Sequence, residues 1–286
     1  MSLLDQHSFH PRRFADNRFV YPVVSRRSQG VSVGVNLNPD KICNFDCVYC
    51  QVDRRSPAET RFVEFDTLLG ELEDVLNLVT SGDLFEFEEF RSVPESLRRL
   101  NDIAFSGDGE PTTYRNFDDI VSQTVAVKQR LGLGDAKLVL ITNASMFHRP
   151  AVWRGLQQLH AHQGEVWAKL DAGTEPYFRE IERTPIRFSQ ILDNIFLAAR
   201  HWPIIMQSLF LRLHGTGPSA EEIHAYVDQL RNIVAQGGQI RLVQVYTVAR
   251  APAESFVTAL SNDEVDAIAH AVTVNTGLRA EAYYGR

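Results

Sequence analysis

Apolar residues along this chain follow two patterns that alternate with each other. Short apolar runs typical of strands buried on both faces are each followed by polar residues, and then by apolar positions spaced three and four apart. The predicted strands of this series are 31–37, 102–107, 138–141, 166–170, 205–212 and 240–248. Six β-α units joined by parallel crossovers predict an α/β fold, an open, partial (β/α)6 barrel of the TIM type.

Helices are predicted where the three-and-four spacing is clearest. A stripe that includes Leu72, Val75 and Val79 predicts a helix from Asp66 that ends at Ser81-Gly82. Further stripes cover 188–196 and 223–230, and capping boxes are predicted for Ser219 with Glu222 and for Ser261 with Glu264.

The remaining segments give the predicted domain organisation. Residues 1–29 lack a clear period and are interpreted as an N-terminal extension, in which 18–24 could pair as an edge strand. Residues 30–286 are interpreted as the barrel, with a C-terminal segment, 278–284, that pairs near the end of the chain. An acidic, aromatic stretch at 80–96 is predicted to be an insertion, either a lid or, as we favour, a surface loop.

Composition limits the class of protein. A chain of 286 residues with 44% hydrophobic content can form one large α/β domain. No run of eighteen apolar residues is present, and the N-terminus lacks a basic region followed by an apolar core. We therefore expect a cytoplasmic protein with no membrane partner, in a reducing compartment that suits unpaired thiols.

Charge argues against a broad polyanionic partner, because the formal net charge is -7. Nucleic acid is thus a disfavoured partner, although a local contact stays open. The pairs Arg12-Arg13, Arg26-Arg27 and Arg54-Arg55 make the N-terminal part locally basic. They are interpreted as solvated surface pairs or, alternatively, as guanidinium groups that bind a phosphate or carboxylate.

All three cysteines of the chain stand within eight residues, as Cys43-x3-Cys47-x2-Cys50. Soft thiolates select zinc, Cu(I) or iron–sulfur clusters. A zinc site needs a fourth ligand, and no histidine is near the triplet. A [4Fe–4S] cluster normally has four thiolates, so three would leave one iron open to a further ligand. A zinc knuckle and three unrelated core thiols are the structural alternatives.

A second candidate element follows the strand at 102–107. It consists of Gly107, Asp108, Gly109 and Glu110. The two glycines let the backbone approach a ligand closely, and the carboxylates can accept hydrogen bonds from an ammonium or hydroxyl. Alone, such a sequence is usually a strand-to-helix turn.

The cysteine pattern, with Tyr49 just before Cys50, resembles the signature of the radical S-adenosylmethionine (radical SAM) superfamily. The resemblance implies a [4Fe–4S] cluster on Cys43, Cys47 and Cys50, whose open iron binds S-adenosylmethionine. Reductive cleavage then gives methionine and a 5′-deoxyadenosyl radical that abstracts hydrogen from a substrate. The stretch 106–112 is similar to the Gly-Gly-Glu element of that superfamily, which holds the amino group of the cofactor.

Polar residues at other strand ends are further candidates. Asn143 could bind an amino acid or cap a turn. Lys169 and Asp171 lie on one face of a strand, and a buried pair of these charges is costly without a purpose. Asp171 could bind ribose hydroxyls. Lys169 could hold the cofactor carboxylate, bind an acidic substrate or form an imine, or the two residues could be an interior ion pair only.

The remaining candidates are less specific. Ser208 and Arg212 share a face of the fifth strand, and Arg212 is expected to reach the top of the barrel. Tyr49 could lie against the adenine. Tyr246 is a candidate on the sixth strand, with core packing as the alternative reading.

Among radical SAM enzymes, the motifs look most like the clade grouped with tRNA wyosine-base synthase. That enzyme needs a second cluster on further cysteines, and this chain has none. We therefore expect a single-cluster enzyme acting on a small molecule, a nucleoside or a glycyl-radical partner, with an electron donor such as flavodoxin or ferredoxin. The alternatives are a wyosine-synthase-like modification of a tRNA base and a non-catalytic iron–sulfur or zinc module.

Overall fold

The structure is a computed structural model that describes residues 14–25, 29–58, 60–250, 252 and 254–285. Within these residues the fold is α/β, with eight strands in a mostly parallel central sheet, two further strands and seven α-helices. The predicted α/β class is confirmed. None of the helices in this part of the chain is long and apolar enough to cross a membrane. The pairs Arg12-Arg13 and Arg26-Arg27 lie outside the described residues.

The chain divides into two compact units. Unit 1 consists of Met1–Cys43, Arg54–Ile141 and Pro150–Glu165, and unit 2 of Asn44–Asp53, Thr142–Arg149 and Val166–Arg286. The predicted boundary between an extension at 1–29 and a barrel at 30–286 stays a prediction.

Unit 1 contains the first strands of the sheet and three helices. Its elements are β1 (Val20–Ser25), β2 (Gly30–Val35), α1 (Phe65–Ser81), β3 (Leu100–Phe105), α2 (Phe117–Arg130), β4 (Lys137–Thr142, whose last residue belongs to unit 2) and α3 (Pro150–Ala161). The edge strand β1 is antiparallel to β2, whereas β2, β3 and β4 are parallel. The edge strand predicted at 18–24 is therefore confirmed.

Local sequence explains the boundaries in unit 1. Strand β2 is buried at all six positions, as expected for a strand covered on both faces. Helix α1 ends where Gly82 takes the left-handed conformation, with φ of 89°, which glycine adopts without steric cost. The predicted insertion at 80–96 contains two short 3-10 turns, and Leu84 and Phe85 in it are buried.

Unit 2 contains most of β5 and the later elements. They are β5 (Gly164–Lys169), α4 (Glu175–Glu182), α5 (Phe188–His201), β6 (Ile204–Leu209), β7 (Leu211–Leu213), α6 (Ala220–Ala235), β8 (Ile240–Tyr246), β9 (Val257–Ala259), α7 (Asn262–Thr276) and β10 (Ala280–Tyr283). Strands β5, β6, β8 and β10 are parallel in that order, and β7 pairs with β9 in a separate antiparallel ribbon.

Two predictions in unit 2 are corrected. The strand predicted at 205–212 is divided into two: β6 ends at Leu209, and Leu211–Leu213 form β7, which pairs with β9 instead of β8. The capping box is complete at Ser261 but not at Ser219. Glu222, its expected partner, instead accepts hydrogen bonds from the amide of Gly173 and the hydroxyl of Thr174.

Candidate functional site

The cysteine loop of unit 2, defined as Asn44–Asp53, is attached to the C-terminal end of α4. The amides of Asp46 and Val48 donate to Glu182 O at 3.1 Å and to Ile181 O at 2.8 Å. These carbonyls belong to the last turn of a helix, where no intrahelical donor remains. Phe45 packs edge-on against Phe178 of α4, with 5.8 Å between ring centroids. The helix end therefore fixes the backbone around Cys47.

A ring of neutral hydrogen bonds holds the start of the same loop. Asn143 Nδ2 donates to Asn44 Oδ1 at 2.9 Å, and Asn44 Nδ2 donates to Ser145 Oγ at 2.7 Å. Ser145 Oγ in turn donates to Asn143 Oδ1 at 2.6 Å. Asn143, a candidate from the sequence, thus orients the loop that carries Cys47 and Cys50.

Lys169, at the end of β5, forms an ion pair with a buried carboxylate, and its own side chain is 18% exposed. Its Nζ lies 2.8 Å from Asp171 Oδ2 and donates to the hydroxyl of Tyr246 at 3.1 Å. The ammonium also lies 4.8 Å from the ring centroid of Tyr49. Asp171 Oδ1 accepts from the amide of Leu209 at 2.7 Å. Both charges are therefore fully engaged by this unit's own groups.

The ion pair continues to Cys47 through two further side chains. The Tyr49 hydroxyl bonds to Asp171 Oδ2 and lies 2.8 Å from Glu182 Oε1. Glu182 Oε2 accepts from the Cys47 thiol at 2.6 Å. We call these six residues, Cys47, Tyr49, Lys169, Asp171, Glu182 and Tyr246, the Lys169 network. It connects one predicted cluster ligand to the end of β5 without a gap.

Burial and neighbouring charges shift the pKa values in this network. Desolvation and the charge of Asp171 raise the pKa of Glu182 to about 8. Desolvation and the charge of Glu182 raise the pKa of the Cys47 thiol. Burial acts to lower the pKa of Lys169, but Asp171 and the other acidic groups outweigh it and the pKa is raised. Lys169 is thus an ammonium at neutral pH.

The Gly-Glu element of unit 1 forms a tight loop against the segment that follows β2. Asn36 Oδ1 accepts from the amides of Asn38 and Asp108 at 3.0 and 3.1 Å, and Asn36 Nδ2 donates to Asp108 Oδ2 at 2.7 Å. A Cβ on Gly107 would lie 2.2 Å from Asn36 Oδ1, and one on Gly109 would lie 2.3 Å from Ile42 O. The glycines let two segments of the chain itself approach closely.

Glu110 and Asn38 complete this loop. Glu110 is 3% exposed, and its Oε1 accepts from the amide and the hydroxyl of Thr112, which lies in the 3-10 turn Pro111–Thr113. Asn38 Nδ2 donates to Thr113 Oγ1 at 3.0 Å. Asn38 Oδ1, by contrast, is enclosed and has no hydrogen-bond partner. One buried acceptor of this loop therefore makes no hydrogen bond within the chain.

Ser208 and Arg212 form their side-chain contacts elsewhere. Ser208 is fully buried, and its hydroxyl accepts from Tyr226 of α6 at 2.7 Å. Arg212 lies on β7, where it pairs with Glu264 at 2.6 Å and donates to Gly215 O. Neither side chain joins the Lys169 network, and their cofactor roles stay predictions.

The three cysteines are half-buried and form no disulfide. Among the described residues, no three His, Cys, Asp or Glu side chains are gathered as a metal-binding group. The donor chemistry nevertheless fits an iron–sulfur cluster, because three soft thiolates leave one iron position open.

Sequence reasoning missed Glu182 and gave Tyr246 no definite role. Glu182 had a detectable pattern, because Phe178, Ile181 and Glu182 are the buried residues of α4 and a charge there occupies an apolar position. Tyr246 accepts a hydrogen bond from Lys169, which alternation along one strand cannot indicate.

Known proteins resemble this chain in sequence and in fold. The family model described as the radical SAM superfamily matches residues 37–230. A UPF0026 protein of Helicobacter pylori is 25% identical over 257 residues, which cover 85% of this chain and 70% of that protein. A UPF0026 protein of Methanocaldococcus jannaschii is 32% identical over 167 residues, 57% of this chain and 43% of that protein.

Two solved structures share the fold. A radical SAM methyltransferase from Sphaerobacter thermophilus has a TM-score of 0.63 at 13% identity, covering 93% of this chain and 69% of that chain. A structure of TYW1 with a lysine-pyruvate adduct bound has a TM-score of 0.55 at 14% identity, covering 87% and 74%. At these identities the likeness establishes the fold, including the predicted TIM-type core.

Proposed function

Because this chain belongs to the radical SAM superfamily, we propose that it is an enzyme that cleaves S-adenosylmethionine reductively on a [4Fe–4S] cluster held by Cys43, Cys47 and Cys50. The observation that carries the proposal is the anchoring of the cysteine loop on α4, with Cys47 at one end of a buried charged network. A bare cluster carrier has no use for such a network, which is costly to bury.

The cluster and its cofactor, when bound, would supply one-electron cleavage of the sulfonium and a 5′-deoxyadenosyl radical. In unit 1, Gly107, Asp108, Gly109 and Glu110 form the loop proposed to hold the amino group of the cofactor. Asn38 Oδ1 supports this role, because an enclosed acceptor without a partner suits an ammonium donor.

In unit 2, the chain's own residues position one another. Asn143 orients the cysteine loop, and Tyr49 is held by two carboxyl groups beneath the Lys169 ammonium. We propose that Asp171 and Lys169, whose charges neutralise each other, contact the cofactor or the substrate through hydrogen bonds. A protonated amine is a poor nucleophile, so the raised pKa of Lys169 argues against an imine with a carbonyl substrate.

The proposed substrate is a small molecule or nucleoside, and the proposed electron donor is a flavodoxin or ferredoxin. A reducing, cytoplasmic compartment would suit the three cysteine thiols. We do not propose modification of a tRNA base, because the net charge is -7 and no cysteine remains for a second cluster.

Anaerobic reconstitution with iron and sulfide tests the proposal. The protein is mixed with dithionite and S-adenosylmethionine, and 5′-deoxyadenosine and methionine are quantified. We expect about four irons per chain and formation of both products. Serine variants of Cys43, Cys47 and Cys50 should each lose product formation. Asp46→Asn is the matched control, because Asp46 is exposed within the same loop.

Two results would contradict the proposal in different ways. A wild-type protein that binds about four irons but forms no 5′-deoxyadenosine would be a non-catalytic iron–sulfur module. A protein that takes up zinc instead, at one ion per chain, would make the cysteines a structural metal site.

A further inference from the structure

Two buried glutamines face each other on neighbouring strands of unit 2. Gln207 of β6 and Gln244 of β8 are paired in register, and each is 2% exposed. Gln207 Nε2 donates to Gln244 Oε1 at 3.3 Å. Strands buried on both faces normally carry apolar residues at such positions, so two amides here need an explanation.

The contact between the amides uses only part of their capacity. A primary amide has two N–H donors and a carbonyl acceptor, and neither side chain makes another hydrogen bond. Whichever amide donates, one carbonyl oxygen and one NH2 group of the pair are left without a hydrogen bond. These atoms are not among the fully enclosed polar atoms without partners, so they reach accessible space.

The neighbours of the pair are polar, but their charges are already neutralised. In the sheet register Lys169 is opposite Gln207, and Glu281 of β10 is opposite Gln244. Lys169 is bound to Asp171 and Tyr246, and Glu281 is bound to Arg279 and Tyr283. Gln207 and Gln244 therefore offer one donor and one acceptor, and each charged neighbour already has its own partner.

We propose that Gln207 and Gln244 recognise the substrate through a neutral edge that carries a hydrogen-bond donor beside an acceptor. Carboxamides, lactams and nucleobases have such an edge. The inference rests on the proposed function, because it assigns the pair to the substrate of that enzyme. An ionised carboxylate or phosphate would find no countercharge at the pair and is disfavoured.

Thermal unfolding of methionine variants tests whether the fold depends on the two amides. Methionine has nearly the volume of glutamine and no amide. Each single variant strands one amide and should lower Tm by about 2–4 °C. The double variant Q207M/Q244M removes both amides, so its Tm should equal or exceed that of the wild type. A double variant that loses as much Tm as both single variants together would make the pair a structural contact and overturn the proposal.

Asn194→Leu is the matched control for this measurement. Asn194 is also a buried amide, but its Nδ2 is spent on Ala144 O and Ser145 O at 2.8 and 3.1 Å. Its removal should lower Tm, which shows that the assay detects a structural amide.

Binding of small probes to the reconstituted protein tests the ligand class. Saturation-transfer NMR compares 2-pyrrolidone, nicotinamide and guanosine with cyclopentanone and with N-methylated counterparts. At least one amide or nucleobase probe should bind about tenfold more tightly than its counterpart, because one hydrogen bond is lost. Equal binding of all counterparts, or binding that persists in Q207M/Q244M, would overturn the proposal.

Adenine carries the same kind of edge, so the cofactor is tested separately. The affinity for S-adenosylmethionine in Q207M/Q244M should match that of the wild type, and a clear loss would assign the pair to the cofactor and overturn the proposal. Failure of the proposed function can be distinguished from failure of this inference. In the first case the wild type would form no 5′-deoxyadenosine, whereas the Tm and probe measurements would still test the role of the pair.

Discussion

The Gly-Glu element of unit 1 and the Lys169 network of unit 2 stabilise their buried polar groups in different ways. In unit 1, the side-chain oxygens of Asn36 and Glu110 are satisfied by backbone amides and a hydroxyl within short loops. In unit 2, charged side chains from separate elements are satisfied by one another, as between Lys169 and Asp171 and between Tyr49 and Glu182. The first region depends on close backbone packing, and the second depends on balanced charge.

The largest effect is expected from removal of the central charge of unit 2. Lys169→Met leaves Asp171 buried without its countercharge, which should lower the free energy of unfolding by about 3–5 kcal/mol. Urea unfolding measures the loss. Arg231→Met is the control, because the Arg231–Asp228 pair is exposed and should contribute less than about 1 kcal/mol. Similar losses in both variants would refute the distinction between the two kinds of ion pair.

A smaller effect is expected from the tyrosine hydroxyl in the same network. Tyr49→Phe removes bonds to two carboxyl groups and should cost about 1.5–3 kcal/mol. Tyr226→Phe removes one bond to the neutral hydroxyl of Ser208 and should cost about 0.5–1.5 kcal/mol. Urea unfolding at one pH compares the two, and the reverse order would mean that charge does not set the strength of this network.

Backbone packing in unit 1 predicts a comparable loss by another mechanism. Gly109→Ala places a Cβ 2.3 Å from Ile42 O and should cost about 1–3 kcal/mol through overpacking. Gly134→Ala, where a Cβ would meet nothing within 4 Å, should be neutral or stabilise by about 0.4–1 kcal/mol. The free energy of unfolding measured for both variants tests the comparison, which fails if Gly109→Ala is tolerated equally well.

The smallest change in stability is expected at the unpaired acceptor of unit 1. Asn38→Leu loses one hydrogen bond but also removes an enclosed oxygen without a partner, so stability should change by less than about 1 kcal/mol. If Asn38 Oδ1 accepts from the cofactor ammonium, the affinity for S-adenosylmethionine falls about tenfold in calorimetry.

Thr124→Val is the matched control for Asn38. It also removes an enclosed oxygen without a partner in unit 1, and it should leave cofactor affinity unchanged. An affinity that stays the same in Asn38→Leu would exclude Asn38 from the cofactor site.

Sequence patterns predicted the local features of both regions better than the long-range ones. The helix that ends at Gly82 and the capping box at Ser261 depend on residues a few positions apart, and both are confirmed. The break at Phe210 and the three-residue strand β9 depend on pairing with distant segments, and the patterns did not reveal them.

The candidate site shows the same limit. The cysteine motif and the Gly-Glu element each consist of residues close together in the sequence, so the sequence alone predicts their chemistry. Glu182 contacts Cys47 from 135 positions away, and only the fold can bring the two together. Glu222 likewise accepts from the amide of Gly173 instead of completing the capping box at Ser219, and this contact depends on how α6 packs.

The same separation sets an order of events during synthesis of the chain. The carbonyls and the carboxyl group that hold the cysteine loop belong to α4, which is translated 135 residues after Cys47. At 5–20 residues per second, that interval lasts roughly 7–27 s. Until then the nascent thiols have none of their α4 contacts. An ordered loop for the proposed cluster therefore forms only after Glu182 has been translated.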